Sequence, residues 1–523
     1  MSFARAIATV GGLTMLSRVA GFVRDMLTAW VLGASLAADI FFVAQRLPNW
    51  FRAMFAEGAF TVSFVPIYAA KLDQEGREEA DRFAEQSLSI MVLVLLPLTV
   101  LMMLAMPLIM MGVASGYAGD PAIFGQLIDL GRITFPYLLL ISVVALQTGV
   151  LNALGRFGPG AAAPILLNLF MIAAIVTAVA WEIEPNTALA WGFTLSGMAQ
   201  LVWLALSCRR AGVSLRITRP RLTPEIKTLF TKMGPGAISA SVIQINLVIG
   251  THIASLLPAG AVSYLYYADR LNQLPLGVIG IAIGTALLPT LSRHTKAGDT
   301  DKIRHYMSRG MEFGLLLGLP AAVALAVSPE PILRALFQRG NFGAEAAAAT
   351  ALALQAYALG IPAYVISKVF NAAFFARQDT RTPVRIAIVT LGTNTLLALA
   401  LSPFIGHVGI ALASGLAAWL NIALLALALR RAGSLHADVQ FRRRAPRIVL
   451  ASVLMGLALM GLEAALAPFF AQGMGLSVAA LAALVAGGGL TYAVAVLLLG
   501  AAGMDDLRAF LSRRGKAARP GSA

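Results

Sequence analysis

Leu13-Thr-Met-Leu-Ser-Arg18-Val-Ala-Gly-Phe-Val-Arg24-Asp25-Met-Leu-Thr-Ala-Trp-Val-Leu32 is apolar enough for a membrane helix, yet it carries Arg18, Arg24 and Asp25 near its middle. A charge at the centre of a bilayer helix costs about 2.5–3.5 kcal/mol on insertion scales, so each needs a partner, a wet cavity or an exit to the interface. The next apolar stretch repeats the anomaly with Asp39, Arg46, Arg52 and Glu57. The rest of the chain is of the same kind. Its 523 residues are 59% hydrophobic and only 12% charged, and a mean hydropathy of +0.79 excludes an ordinary soluble domain.

A spanning helix needs roughly 20 apolar residues, and the sequence offers about fourteen such stretches. The expected fold is an all-α polytopic membrane protein. Arg5 ahead of an apolar run suggests a signal peptide, but Arg18, Arg24 and Asp25 interrupt that run and favour an uncleaved first helix. The net charge of +15 lies mainly in short loops between apolar runs, which argues against nucleic acid and for topology signals and contacts with membrane lipids. Arginine and lysine crowd the loops after spans six, eight, ten and twelve, as at Arg209, Arg210, Arg216, Arg219, Arg221 and Lys227. Several intervening loops, such as 115–126 and 181–187, have neither. The positive-inside rule then places both termini in the cytoplasm. The loop around Arg334 and Arg339 breaks this pattern and is expected to hold a short helix. Cys208 is the only cysteine, which rules out an internal disulfide and a thiolate metal cluster, and no metal site is expected.

An internal repeat organises the spans. Gln45-Arg46-Leu47, with Pro66 before Lys71, is echoed by Asp269-Arg270-Leu271, with Pro289 before Arg293. A looser echo pairs Pro136, Asn152, Arg156 and Pro164 with Pro362, Asn371, Arg377 and Pro383. Six spans per repeat, an even number, give two lobes of like orientation related by a pseudo-two-fold along the membrane normal, the parallel-repeat plan of many transporters. The expected lobes are 1–218 and 219–435. An extra helix pair, 436–503, and a basic cytoplasmic tail, 504–523, follow.

On a straight helix at about 100° per residue, Arg18 and Asp25 share a face to within about 20°, with Arg24 on an adjacent one. Asp39, Arg46 and Glu57 share a stripe of the second span, whereas Arg52 lies off it unless a break at Pro48 resets the phase. Each arginine could snorkel to an interface or pair structurally with Asp25, Asp39 or Glu57. Taken together in consecutive helices, Arg18, Arg24 and Arg52 point to an anionic, phosphorylated substrate, because the guanidinium fork matches phosphate oxygens. Arg270 supplies a cation in the second lobe, and Asp269 beside it is expected to reach a different neighbour. Lys368 is a further cavity candidate.

These positions carry a resemblance. Ser17-Arg18-Val-Ala-Gly-Phe-Val-Arg24-Asp25, Asp39-Ile-Phe-Phe-Val-Ala, Arg46-Leu-Pro-Asn-Trp-Phe-Arg52 and Phe55-Ala-Glu57-Gly-Ala-Phe are similar to the MurJ (MviN) family of lipid II flippases. So are Tyr267-Ala-Asp-Arg270-Leu and Phe375-Ala-Arg-Gln-Asp-Thr-Arg-Thr-Pro383. That family belongs to the multidrug/oligosaccharidyl-lipid/polysaccharide (MOP) exporter superfamily. The resemblance implies a transporter of the bacterial inner membrane, not an enzyme, that carries the undecaprenyl-diphosphate-linked peptidoglycan precursor outward by alternating access for cell wall synthesis. It implies that Arg18, Arg24, Arg52 and Arg270 engage the diphosphate, and that Asp25, Asp39, Glu57 and Asp269 act as gating or ion-pair partners. Arg46 and Lys368 would be cavity residues, and the last two helices a groove for the lipid tail. Cell wall synthesis machinery is an implied partner. No cofactor is expected beyond a coupling ion, Na+ or H+, and the membrane potential; Thr390, Asn394 and Asn246 bring no carboxylate to the sodium position of some relatives. The rival readings are a MOP exporter of drugs or of another lipid-linked oligosaccharide, and a membrane enzyme acting on polyprenyl phosphates. Against the enzyme, the five histidines form no catalytic constellation with nearby carboxylates.

Overall fold

Hydrocarbon offers a backbone no hydrogen-bond partners, so a chain this apolar must satisfy its peptide groups within its own helices. The computed structural model describes residues 3–53, 60–433, 435, 437–470 and 472–501, and every regular element among them is helical. The first half comprises α1 (Phe3–Leu32), α2 (Leu36–Phe51), α3 (Thr61–Gln74), α4 (Arg77–Leu104), α5 (Met106–Ala114), α6 (Pro121–Thr134), α7 (Tyr137–Ala153), α8 (Gly158–Ala180), α9 (Pro185–Arg210) and α10 (Pro224–Ser255). The second comprises α11 (Ala261–Lys296), α12 (Thr300–Val327), α13 (Pro329–Leu336), α14 (Ala344–Ala358), α15 (Ile361–Ala376), α16 (Arg381–Ile405), α17 (His407–Arg431), α18 (Val439–Phe470) and α19 (Met474–Leu498). Ten helical stretches among the described residues are long and apolar enough to cross a membrane. The loop whose odd charge suggested a short helix holds α13, with Arg334 in its last turn.

Local chemistry sets the helix ends. Asp120 accepts from the amides of Ala122 (2.9 Å) and Ile123 (3.3 Å), with Pro121 in the first turn of α6. Thr223 and Pro224 repeat that arrangement at α10. Two expected spans are each broken in the middle. Pro136 is the N-cap of α7 and Pro362 lies in the first turn of α15, so the looser sequence echo corresponds to a helix break in each half.

At Pro48 the outcome differs from the expected break: α2 runs through it to Phe51. A proline has no amide for the carbonyl four residues back, here Ala44. The Thr134 hydroxyl donates to that carbonyl at 3.0 Å, with the Gly131 carbonyl of its own helix at 3.2 Å. Thr134 is fully buried. Thr134→Val should therefore destabilise the protein by about 1–3 kcal/mol, the cost of an orphaned buried acceptor. Adding Pro48→Ala, which restores the amide, should recover most of the loss. Thermal unfolding of the four proteins in detergent measures the cycle, and additive effects would refute the substitution of hydroxyl for amide.

The chain divides into two compact units, 1–263 with 339–343, and 264–338 with 344–523. In the first, α1 packs on α8, α8 and α7 on α9, α2 on α6, and α3 on α4 and α7; α10 lies against α3, α4 and α5. Close approach relies on small residues: a Cβ at Gly192 of α9 would come within 2.6 Å of Ala174 Cβ on α8. The segment 339–343 closes the end of α1. Asn341 donates from its amide to the Trp30 carbonyl (2.9 Å) and from its side chain to that of Val31 (2.5 Å). Gly340 makes this possible with φ +54° and no side chain to strike Trp30.

In the second unit, Ile283, Leu287, Met311, Val365 and Val369 form the core between α11, α12 and α15, and Leu425 of α17 joins it. α18 and α19 pair with each other, and α18 packs on α12. A half-buried charge network fastens that contact. Arg309 donates to Asp438 (2.9 Å) and Glu312, and Arg444 donates to Glu312 (2.6 Å). Asp438 also caps α18 through the Phe441 amide (2.7 Å). Nothing in the sequence reading singled out these four residues.

Candidate substrate site

In α1 the charged residues take different environments. Arg18 is exposed, whereas Arg24 and Asp25 are 7% and 5% exposed. Helical spacing aligns Asp25 with Arg18, but the cation that holds it is Arg24, whose long side chain bends back over its neighbour. Arg24 Nη2 lies 2.6 Å from Asp25 Oδ1 and Nε lies 3.1 Å from the same oxygen. Its Nη1 donates to Asn168 Oδ1 of α8 at 3.0 Å. Asn168 in turn donates to the Ser17 carbonyl at 2.9 Å, so one amide both orients the guanidinium and ties α1 to α8. The sequence carried a signal for it: an asparagine inside Ile165-Leu-Leu-Asn168-Leu-Phe-Met171 is as anomalous as a charge. The arrangement holds a fork of donors in fixed orientation, fit for an anion that competes with Asp25.

Asp39 has no exposed surface. It accepts from the amides of Gly260 (2.7 Å) and Ser263 (2.8 Å), from the Ser263 hydroxyl (2.5 Å) and from the Tyr117 hydroxyl (3.3 Å). These amides belong to the first turn of α11 and the residue before it, where the helix dipole favours a negative charge. The described contacts of Asp39 are thus those of a cap supplied from a distant part of the sequence. Neither Tyr117 nor Ser263 was singled out from the sequence, because capping by a remote carboxylate leaves no local pattern.

Arg46 donates to the Leu247 carbonyl of α10 at 3.2 Å, and Arg52 Nε donates to Asn49 Oδ1 at 3.2 Å, one turn back. Glu57 lies outside the described residues. In the second unit the adjacent pair does reach different neighbours: Asp269 accepts from Gln273, and Arg270 donates to the Tyr266 hydroxyl at 2.8 Å. The Arg270 guanidinium also stands 4.8 Å from the centre of the Tyr266 ring, a cation–π contact. Lys368 is exposed on α15. Thr390, at the position compared with a sodium site, bonds Asn421 at 3.0 Å.

Ten helical stretches of membrane-crossing length among the described residues, with a buried Arg24–Asp25 pair in the first helix, fit the class of membrane transporters. Its fold is that of a solved multidrug resistance MATE family transporter of the MOP superfamily in an inward-facing conformation, with a TM-score of 0.67, 15% identity, and coverage of 82% of this chain and 99% of that one. A solved lipid II flippase MurJ in an inward closed conformation is more similar still, with a TM-score of 0.77, 23% identity, and coverage of 93% and 97%. The family model for lipid II flippase MurJ matches residues 28–485. A probable lipid II flippase MurJ of Rhizobium meliloti is 43% identical over 88% of this chain and 86% of its own. The lipid II flippase MurJ of Burkholderia cenocepacia is 37% identical over 83% and 85%. The chain belongs to the lipid II flippase MurJ family.

Proposed function

We propose that this chain flips lipid II, the undecaprenyl-diphosphate-linked peptidoglycan precursor, from the inner to the outer leaflet of the bacterial cytoplasmic membrane. It is a transporter and not an enzyme. The family match across residues 28–485 carries this reading. In the mechanism we propose, Arg18, Arg24, Arg52 and Arg270 engage the diphosphate. Asp25 holds Arg24 until the diphosphate replaces it, and repeat lobes 1–218 and 219–435 rock to expose the substrate to either side, with both termini in the cytoplasm. The buried pairing of Arg24 with Asp25 supports the exchange, since a carboxylate and a phosphate compete for one guanidinium. Arg46, Asp39, Asp269, Glu57 and Lys368 serve in this proposal as pairing or cavity residues.

The charge on the substrate also suggests a source of drive. With the cell interior negative, each negative charge moving outward across about 100 mV gains about 2.3 kcal/mol, so two diphosphate charges crossing the full field uncompensated gain roughly 4.6 kcal/mol. Proteoliposomes containing labelled lipid II provide the test. Flipping should require the protein and should slow when the potential is collapsed with sodium and proton gradients clamped. An unchanged rate would remove the potential from the mechanism, and no flipping at an imposed potential would refute the function itself.

A further inference from the structure

A feature of the first unit lies apart from the charged cluster. Between α4, α7 and α10 is a cavity of about 270 Å³, lined among others by Ile90 and Val94 of α4, Ser142 of α7, and Leu229 and Phe230 of α10. Its two serines offer a ligand little. Ser87 Oγ donates to the Phe83 carbonyl and Ser142 Oγ to the Leu138 carbonyl, each at 2.8 Å. The floor is buried, with Ile90 at 6% and Leu229 at 2%, while Val94 (54%) and Phe230 (46%) are exposed at the mouth. Such a lining takes hydrocarbon.

The chain leading into α10 supplies the complementary end. Between Arg209 and Lys232 there are seven basic residues and one acidic residue, Glu225. The linker that follows α9 is pinned along α4 by its own amides: Arg216 to Glu85 (3.2 Å), Thr218 to Ser89 (2.8 Å) and Arg221 to Gln86 (2.8 Å). Its backbone is fixed, and the side chains of Arg216, Arg219 and Arg221 are exposed. Among the described residues none of the three has an acidic side chain within ion-pair distance. Gln86, which holds Arg221, is one helical turn before Ile90 on the cavity floor, about 6 Å along α4. The ledge follows α9, which is long and apolar enough to cross a membrane, and the exposed side chains of Ile217 and Leu222 beside its arginines suit a position at headgroup depth.

We propose that the arginine ledge and the cavity form one binding site for a phospholipid with a net negative phosphate headgroup, the phosphate on Arg219 and Arg221 and one acyl chain between α4, α7 and α10. The site is separate from the proposed diphosphate grip and does not depend on transport. Native mass spectrometry of the full chain, titrated with phosphatidylglycerol or phosphatidylcholine of matched chains, tests it. Wild type should hold one phosphatidylglycerol at least tenfold more tightly than phosphatidylcholine. Arg219→Gln with Arg221→Gln should reduce phosphatidylglycerol to the phosphatidylcholine level, and Val94→Trp, which obstructs the mouth at an exposed position, should weaken both lipids. Equal affinity for the two lipids in wild type, or no change in either variant, overturns the proposal. Displacement of the bound phosphatidylglycerol by equimolar lipid II also overturns it, by assigning the site to the substrate.

Discussion

Arg24→Ala is expected to abolish lipid II flipping in proteoliposomes and to lower stability by about 3–5 kcal/mol, the usual consequence of removing one partner of a buried ion pair. The size follows from where the charge sits: the substitution strips Asp25, 5% exposed, of a guanidinium 2.6 Å away. It also releases Asn168 Oδ1 from its donor. Because loss of fold and loss of transport would look alike, two further variants separate them. Arg24→Ala with Asp25→Ala removes both charges and should regain most of the stability while remaining inactive. Arg24→Lys keeps the charge but not the fork, and should fold while flipping at least tenfold more slowly. A double alanine variant that flips at the wild-type rate would reduce Arg24 to a structural cation and overturn its proposed role as a substrate ligand.

Which parts of this molecule could be read from the sequence follows from the range of the interactions involved. Helices are local, so the apolar runs were legible, and the paired prolines Pro136 and Pro362 were legible as a repeat although not as helix breaks. The Asp120-Pro121 and Thr223-Pro224 starts carry equally local signals that were not singled out. The charged residues of α1 and α2 were legible as anomalies, because a charge in an apolar run needs an explanation wherever it lies. Their partners were another matter. Periodicity gives the face of a helix but not the reach of a guanidinium, so Arg18 was set beside Asp25 where Arg24 bonds it. Pro48 was read as a break because its missing amide is visible in sequence, while the Thr134 hydroxyl that compensates lies 90 residues from the Ala44 carbonyl it bonds. The network of Arg309, Glu312, Asp438 and Arg444 stayed hidden for the same reason: each member resembles ordinary loop or interface charge until α12 and α18 are packed.

Asp39→Ala should be the second most damaging substitution, and its effect should be local before it is global. The carboxylate is the acceptor for the amides of Gly260 and Ser263 at 2.7 and 2.8 Å and for the Ser263 hydroxyl at 2.5 Å, all in a site with no solvent exposure. Each buried donor left unsatisfied costs about 1–3 kcal/mol, so a total of roughly 2–5 kcal/mol is expected after partial relaxation. Asp39→Asn retains one carbonyl acceptor and should lose less than half as much. Hydrogen exchange locates the damage: amides 260–264 should lose protection in Asp39→Ala, with the α16–α17 pair unchanged. The functional consequence runs along α11, since Arg270 lies about two turns beyond Ser263 and inherits its position from the start of that helix. Flipping should therefore fall in Asp39→Ala even at temperatures where the protein remains folded. If Asp39→Ala flips normally and keeps its protection at 260–264, the carboxylate is neither a cap nor a determinant of where α11 places Arg270.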